Sequence, residues 1–269
     1  MTDSIKPEKN SMGPFFDTHA HYNDSAFDDD RDEMIKACRE AGMTGAVNCG
    51  TDVRTSLECI ALAEKYDFLY AAAGIHPEEA LSYTPGEIDK IRELLKHPKV
   101  VAVGETGLDY YYEDGAPKEI QKENFIANIR LAKETAKPVI VHDREAHADT
   151  LEILKQEKVP AGGAVFHCYS GSAETAREII SHGWFFSFGG ALTFKNARRA
   201  LEAAAVIPME LLMLETDCPY MAPVPMRGKR NTSANIPFVA EKLAEIKGLG
   251  VDRIFETTTA NALLFFKIK

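Results

Sequence analysis

Several short apolar runs in this sequence are each followed by a histidine, a glutamate or an aspartate. The imidazole and carboxylate groups of these residues are the side chains most able to do chemistry. His19 and His21 follow the first such run. Each of five further residues follows a later one: His76, Glu105, His142, His167 and Asp217. Imidazole and carboxylate groups suit Zn, Mn, Mg and similar divalent ions, and a catalytic site of this kind keeps one position open for water. A single histidine after an apolar run is more often structural, but the repetition indicates a shared metal site.

Local spacing strengthens this interpretation at three positions. His19 and His21 are two residues apart in an extended segment, so both imidazoles point to the same side of the strand. Glu105 closes an apolar run; among imidazoles it predicts a carboxylate that bridges two metals, the alternative being a salt bridge to a loop cation. Asp217 predicts a metal ligand that also accepts a proton from water, provided that nearby positive charge keeps it ionised. The alternative for Asp217 is a helix cap or an ion pair.

The elements that must position these residues alternate along the chain. Apolar runs predict eight strands, at 15–19, 45–49, 69–75, 100–105, 138–142, 164–167, 185–188 and 211–217. Segments of helical period lie between them, at about 28–41, 54–66, 86–96, 119–136, 147–157, 173–182 and 195–204, with a last pair near 237–247 and 252–266. Eight strands, each followed by a helix, favour a single (β/α)8 TIM-type barrel over an open α/β sheet. In such a barrel the carboxyl ends of all strands form one rim, so residues distant in sequence converge there.

Composition limits the class of protein. We expect residues 14–269 to form one (β/α)8 domain and the polar residues 1–13 to form a flexible tail. No run approaches the roughly 20 apolar residues that span a bilayer, and the N-terminus lacks the apolar core of a signal peptide. The five cysteines form no CxxC pair and are expected to be reduced. These features predict a cytoplasmic protein with no membrane segment, and we expect a monomer.

Basic and aromatic residues near the rim suggest contacts to a substrate. The formal net charge of −10 argues against a wholly basic surface, so any nucleic-acid site must be local. Arg227, Lys229 and Arg230 form a dense basic cluster in the long segment after the last predicted strand, and they are candidates for phosphate contacts; a solvated loop is the alternative. The tyrosines at 110–112 follow Glu105 closely, and they could stack on an unpaired base, although we expect at least two of them to pack against the barrel.

The ordered series of motifs resembles the TatD family of metal-dependent hydrolases, within the wider group of amidohydrolase-like barrels. The matching motifs are FDTHAH at 16–21, GIHP at 74–77, VGETGLDYYY at 103–112, KPVIVHDREA at 137–146, FHCYSGS at 166–172 and ETDCPYMAPVPMRGKRN at 215–231. They cover nearly the whole chain, in order and at strand ends. Many relatives have a second histidine two residues after that of GIHP, whereas this chain has Glu78, which puts a phosphate contact at that position in doubt.

The resemblance implies a site with one or two divalent metal ions, drawn from Mg, Mn, Zn, Ni or Co. It implies that His19, His21, Glu105 and Asp217 hold one metal, and that Glu105, His142 and His167 hold the second. It also implies hydrolysis of DNA phosphodiesters at single-stranded ends, with a 3′-5′ exonuclease as one form of the activity. His76 is then a catalytic contact to the phosphate or to a metal-bound water, the alternative being a structural hydrogen bond.

Two other functions compete with this one. An amidohydrolase-like enzyme could use the same barrel on a small carbonyl or phosphoester substrate, because fold does not fix substrate. Glu105 in place of a modified lysine and the basic segment 227–230 favour phosphate esters over carbonyl substrates. A barrel that has lost its activity and acts as a binding module would lack metal ligands, and none is missing here.

Overall fold

A computed structural model describes residues 13–112 and 114–269 of the chain. In this part the chain alternates between eight strands and nine α-helices, joined by several short 3₁₀ turns. The strands are β1 (Phe15–Ala20), β2 (Met43–Cys49), β3 (Leu69–Ala73), β4 (Val100–Asp109), β5 (Val139–Arg144), β6 (Ala164–Phe166), β7 (Phe185–Phe188) and β8 (Leu212–Leu214). The helices are α1 (Arg31–Glu40), α2 (Val53–Lys65), α3 (Pro85–Leu94), α4 (Lys118–Thr135), α5 (His147–Gln156), α6 (Ala173–Ser181), α7 (Arg198–Val206), α8 (Ile236–Lys247) and α9 (Val251–Phe265).

The strands form one parallel sheet in the order β1 to β8, so each strand pairs with its successor. The two ends of the sheet meet just beyond β1 and β8. The Asp217 N–H donates to the His19 carbonyl at 2.9 Å, and the His21 N–H donates to the Cys218 carbonyl at 2.8 Å. The predicted (β/α)8 barrel is therefore confirmed, and residues from both ends of the chain are hydrogen-bonded at its seam.

Apolar residues on alternate positions of the strands belong to two separate parts of the core. In β5, Val139 packs in the larger cluster with the surrounding helices, whereas its neighbour Ile140 belongs to a smaller cluster inside the barrel. Phe265 and Phe266, at the end of α9, join that inner cluster and close the barrel at the amino ends of its strands. Strands buried on both faces lose the alternation of apolar and polar residues, which explains the continuous apolar runs of the sequence.

Capping residues fix where several helices begin. Asp52 accepts a hydrogen bond from the Thr55 N–H at 2.6 Å and forms a reciprocal capping box before α2. Thr84 and Ser172 cap α3 and α6 in the same way, through the backbone N–H three residues later. Each cap follows the carboxyl end of a strand, so it also sets the length of a loop at the rim.

The predicted elements match the observed ones, and the largest differences between strands are at the ends of β4 and β8. β4 runs to Asp109 rather than ending near Glu105, because residues 106–109 continue to pair with β5. β8 ends at Leu214, so Asp217 lies in the loop that follows it. The predicted tail, residues 1–13, lies outside the described residues except for Gly13, and it stays a prediction.

All five cysteines are free thiols, as expected. In residues 13–112 and 114–269 no helix is both long and apolar enough to cross a membrane.

Candidate metal centre

The side chains that the sequence singled out at strand ends converge at the carboxyl ends of the barrel strands. They form three overlapping groups in which the ligand atoms lie within 4.8 Å of one another: His19, His21 and Asp217; His19, Glu105 and His167; His76, Glu105 and His142. All seven residues are buried or half-buried. A buried cluster of imidazole and carboxylate groups is the donor set that divalent transition metals and Mg bind.

Glu105 lies at the centre of the cluster, and its two carboxylate oxygens face different imidazoles. Oε2 is 3.0 Å from His19 Nε2, while Oε1 is 2.8 Å from both His142 Nδ1 and His167 Nε2. Only 5% of the Glu105 side chain is exposed, so this carboxylate has imidazoles rather than water as its neighbours. The arrangement is the one that a carboxylate shared between two metals requires.

The imidazoles of His19 and His21 point at a common space. Their Nε2 atoms are 3.1 Å apart, and His21 Nε2 is 3.3 Å from Asp217 Oδ1. Asp217 has a φ of 57°, a left-handed conformation that aspartate tolerates better than most residues, and the chain turns sharply there after β8. Three possible donors, one at the end of β1, one just after it and one in the loop after β8, thus converge, as a metal site needs.

Residues behind the cluster fix the orientation of its imidazoles. His21 Nδ1 lies 2.9 Å from the Cys49 carbonyl oxygen, and His142 Nε2 lies 2.9 Å from Asp109 Oδ2. The Nδ1 atom of His167 faces Glu215, with Oε1 at 3.5 Å. Such partners hold one ring nitrogen so that the other points into the site, and they raise its basicity as a ligand.

Asp109 and Glu215 were missed by the sequence reasoning, although a signal was present. Asp109 stands four residues after Glu105, and Glu215 stands two residues before Asp217. In an extended segment both spacings put the two side chains on the same side. A search for carboxylates at even spacing from each candidate ligand would have selected both.

The charges of the site stabilise its carboxylates in the ionised form. Burial alone would raise the pKa of Glu105, but the neighbouring imidazoles outweigh it and hold that pKa well below its usual value. Burial likewise opposes ionisation of Asp217, and the hydrogen bond and charge of His21 lower its pKa overall. Burial lowers the pKa of His19, which favours the neutral imidazole that binds metals. Burial acts the same way on His142, but hydrogen bonds to Asp109 and Glu105 outweigh it and raise that pKa to about 9.

His76 lies at the edge of the cluster. Its Nε2 is 3.4 Å from Glu105 Oε1, and its ring meets the His142 ring edge to face at a centroid distance of 4.4 Å. Its Nδ1 accepts the Glu78 N–H at 3.2 Å, so one nitrogen has a structural partner and the other faces the site. The structure therefore shows the structural hydrogen bond that was one of the two alternatives for His76. Its catalytic contact stays a prediction.

A groove of about 1120 Å³ opens over the cluster. Its walls extend from Tyr112 and Arg144 on one side, past the metal-site residues, to Arg54 and Lys65 on α2. The groove is long enough to hold more of a substrate than the reacting group alone, which suits a chain-like molecule.

The basic segment 227–230 does not belong to the wall of this groove in the described part of the chain. Arg230 forms a two-pronged ion pair with Asp30, at 2.6 and 2.8 Å, and its guanidinium lies over the Phe27 ring. Arg227 lies over the Phe194 ring at 4.0 Å. The predicted phosphate contacts of Arg227, Lys229 and Arg230 therefore stay predictions, and Arg230 already has a structural role.

Only one of the three tyrosines at 110–112 packs against the barrel, whereas we expected at least two to do so. Tyr110 packs against the core, and its hydroxyl donates to Asp149 at 2.8 Å. Tyr111 and Tyr112 are 56% and 45% exposed. The expectation is wrong because β4 continues to Asp109, which carries the last two tyrosines past the end of the sheet.

Comparisons with known proteins agree with the geometry. The family model described as TatD related DNase matches residues 16–267. An uncharacterized metal-dependent hydrolase of Bacillus subtilis, YabD, is 45% identical over 253 residues, which is 94% of this chain and 99% of that protein. A protein of Cronobacter sakazakii named 3′-5′ ssDNA/RNA exonuclease TatD is 36% identical over 260 residues, covering 93% of this chain and 97% of its own.

Solved structures lead to the same group. The crystal structure of YjjV, a TatD homolog from Escherichia coli, superposes with a TM-score of 0.89 at 30% sequence identity, over 95% of this chain and 98% of that one. The family resemblance inferred from the motifs is therefore confirmed. With a family match over nearly its whole length and clustered residues that could hold a metal ion at the barrel rim, this chain belongs to the TatD-related DNase family of metal-dependent hydrolases.

Proposed function

We propose that this protein is a divalent-metal-dependent deoxyribonuclease that removes nucleotides from the 3′ ends of single-stranded DNA. The observation that carries the proposal is the position of Glu105, whose two oxygens face separate sets of imidazoles at the floor of a long groove. A site for two metals beside a groove suits the hydrolysis of phosphodiesters in a chain. Relatives that bear the name 3′-5′ ssDNA/RNA exonuclease support this substrate class.

The donor set fits a pair of divalent ions. His19, His21, Glu105 and Asp217 would hold one, and Glu105, His142 and His167 would hold the other, with His76 beside them. When bound, such ions lower the pKa of a coordinated water and polarise a phosphate oxygen. Mg, Mn, Zn, Ni and Co all accept these ligands, so the donor set alone does not select one.

The protein's own groups supply the remaining steps. The low pKa of Asp217 keeps its carboxylate ionised, so it can accept the proton of the attacking water. Asp109 holds His142 in orientation through a contact of 2.9 Å, and the buried Glu215 carboxylate faces His167 Nδ1 at 3.5 Å, which favours the ring position that directs Nε2 into the site. A carbonyl substrate, the alternative that the sequence left open, is not favoured by the named relatives. We also propose that the protein acts as a monomer in the cytoplasm, a compartment that suits its five free thiols.

Metal-stripped protein mixed with 5′-labelled single- and double-stranded DNA tests the function, with Mg, Mn or Zn added back. Wild type should shorten the single strand stepwise from its 3′ end, and a Glu105→Ala, Asp217→Ala double variant should not. A Glu241→Ala, Glu256→Ala variant removes the same charge at exposed positions on α8 and α9, and it should cut like wild type. DNA left intact by every metal-loaded form of wild type would refute the proposal, as would a double variant that cuts normally.

A further inference from the structure

Two exposed tyrosines and a half-buried arginine form a cluster at the rim of the barrel, beside the candidate metal centre. Tyr111 and Tyr112 follow the end of β4, and Arg144 is the last residue of β5; together we call them the tyrosine–arginine cluster. The proposed mechanism uses none of them. Tyr112 and Arg144 line the wall of the groove, and Tyr111 lies against both of them.

The cluster presents planar groups in close contact. The Arg144 guanidinium carbon lies 3.8 Å from the centroid of the Tyr111 ring and 5.1 Å from that of Tyr112. The two rings meet edge to face at 5.1 Å, and Arg144 Nη1 donates to the Tyr112 hydroxyl at 3.3 Å. A guanidinium over an aromatic face is held by a cation–π interaction, so the arginine stays extended along the rings.

The cluster is fixed relative to the metal centre. Asp109 is its anchor: Oδ1 accepts the Tyr111 N–H at 2.9 Å, while Oδ2 lies 2.9 Å from the metal-site residue His142. The Tyr110 N–H also donates to the Arg144 carbonyl at 2.9 Å, which joins the loop to β5. One carboxylate thus positions both a metal ligand and the first tyrosine of the cluster.

The tyrosine–arginine cluster lies about one nucleotide away from the candidate metal centre. Arg144 follows His142 by two residues in β5, so both side chains point to the same side of the strand, about 7 Å apart along it. If a phosphodiester is held over the metal centre, the base of an adjacent nucleotide can therefore reach the tyrosine–arginine cluster. Exposed tyrosines with a stacked guanidinium are the surface on which single-strand binders stack bases.

We propose that the tyrosine–arginine cluster is a base-stacking subsite, which binds the unpaired base of a nucleotide next to the scissile phosphodiester. The proposal rests on the proposed nuclease function and names the group that its substrate must present. A base inside a duplex has both faces covered by its neighbours, so it cannot lie on the cluster without unstacking. The cluster therefore selects single-stranded ends, and it is tolerant of sequence because every base offers a flat face.

A cycle of base removal and side-chain removal tests the subsite. Single-stranded oligonucleotides carry one abasic residue at each of the last few positions in turn, and kcat/KM is measured for wild type and for a Tyr111→Ala, Tyr112→Ala variant. For wild type, one abasic position should lower kcat/KM on the order of 10- to 100-fold, the size expected for one stacked base. The variant should show that loss already with the intact strand and should lose little more when the base is removed.

Two further variants separate stacking from other effects. Tyr111→Phe keeps the ring and loses only the hydroxyl, so it should retain the abasic effect. Leu264→Ala shortens an exposed apolar side chain on α9, outside the groove, and should match wild type. The Tyr111→Ala, Tyr112→Ala variant should also cut duplex and single-stranded DNA with more similar kcat/KM values than wild type does.

The outcomes distinguish this inference from the function on which it rests. Wild type that cuts no DNA refutes the nuclease proposal itself. Wild type that cuts DNA with the same kcat/KM at every abasic position overturns the subsite alone. Equal abasic losses in wild type and in the tyrosine double variant also overturn it, because the base would then be bound elsewhere.

Discussion

Asp109 lies outside the proposed ligands but contacts one of them directly. Its carboxylate contacts His142 Nε2, which leaves Nδ1 of that imidazole directed at Glu105 and the site interior. The same carboxylate accepts the Tyr111 N–H, and its backbone N–H donates to Gln121 at 2.8 Å. Asp109 is thus a positioning residue. Gln121 of α4 holds its backbone, and its carboxylate acts on the site through His142.

Replacing Asp109 with asparagine should weaken metal binding. The substitution keeps the size of the side chain but removes the charge that orients His142 and raises its basicity, so affinity should fall about 10- to 100-fold. Calorimetric titration of metal-stripped protein with Zn or Mn measures this. Asp149→Asn is the matched control, because Asp149 bonds Tyr110 and Lys122 rather than an imidazole, and its affinity should equal that of wild type. Unchanged affinity in Asp109→Asn would show that orientation by this carboxylate is unimportant.

At the scale of single residues, the sequence predicted the candidate metal ligands but not the carboxylates that orient them. The candidate ligands follow apolar runs, and that pattern is visible without a structure because strand ends in a barrel share one rim. Asp109 and Glu215 lie inside the same motifs, but their partners are 33 and 48 residues away in sequence. Contacts of this range depend on the register between strands, which no local pattern of residues specifies.

At the scale of elements, β4 determines the geometry of the site through its glycines. Gly107 has a φ of +149°, and a methyl group added to it would lie 1.9 Å from the His142 carbonyl oxygen. The backbones of β4 and β5 therefore approach closely where His142 is held. Gly107 is of the residue type that often marks a turn, and it lies just beyond residue 105, where the predicted strand ended.

Gly107→Ala should destabilise the fold and disturb the metal centre together. The added methyl group forces β4 away from β5, and backbone shifts of this kind cost about 1–3 kcal/mol of the free energy of unfolding. Urea denaturation measures the loss, and metal titration should show weaker binding. Gly86→Ala is the control: Gly86 lies in the first turn of α3 with only Thr84 near its added carbon, so alanine should be neutral or stabilise by up to about 1 kcal/mol. A Gly107→Ala protein as stable as wild type would contradict this account of the strand pair.

The connection from β5 to α5 predicts a stability that depends on pH. His147 Nδ1 lies 2.7 Å from Asp143 Oδ2, and this hydrogen bond raises the pKa of His147 above its usual value, against the effect of burial. A raised pKa means that the folded protein binds the proton more tightly than the unfolded chain does. The stabilisation is complete below the unfolded pKa of about 6.5 and is lost as the pH rises through the folded pKa.

His147→Gln should therefore lower the free energy of unfolding most at acidic pH. Denaturation curves recorded from about pH 5.5 upward, in the range where His147 titrates, should show the difference from wild type shrinking as the pH rises. A difference that stays constant, or that grows with pH, would contradict the ion pair as its source.

At the scale of the whole molecule, the protein carries a net charge of −10 and yet is proposed to act on a polyanion. Several cations that line the groove already have acidic neighbours: Arg54 pairs with Glu58 at 2.7 Å, and Lys65 pairs with Asp32. Few phosphates can therefore be neutralised at once. Stacking and the metals, rather than an extended basic face, must supply most of the affinity.

The salt dependence of binding should accordingly be shallow. Each phosphate neutralised on a single strand contributes about −0.7 to the slope of log affinity against log salt, so two or three contacts give a slope of about −2. Fluorescence anisotropy of a labelled oligonucleotide with an Asp217→Ala variant, chosen to suppress cutting, measures it. A slope steeper than about −5, equivalent to seven or more contacts, would reveal a basic surface that the groove does not contain.

The overall architecture was the most predictable property of this chain. Repeated strand and helix periods over 269 residues predict a barrel because each βα unit repeats the same local pattern. The rim loops were least predictable. At least two of the tyrosines at 110–112 were expected to pack, yet Tyr111 and Tyr112 lie beyond the end of β4 and are exposed. The ion pair of Arg230 with Asp30 was not foreseen either, and its predicted phosphate contact stays a prediction.

The seam between β1 and the end of β8 has a consequence for when activity arises. His19 and His21 are made early in synthesis, but their partner Asp217 follows almost 200 residues later, and Asp17 is held by Thr216 and Ser233 from the same late segment. A polypeptide still emerging from the ribosome therefore cannot complete the ligand set, however well its first strands have folded. An amino-terminal fragment that stops at the end of β8 therefore lacks both Asp217 and the side chains that hold Asp17.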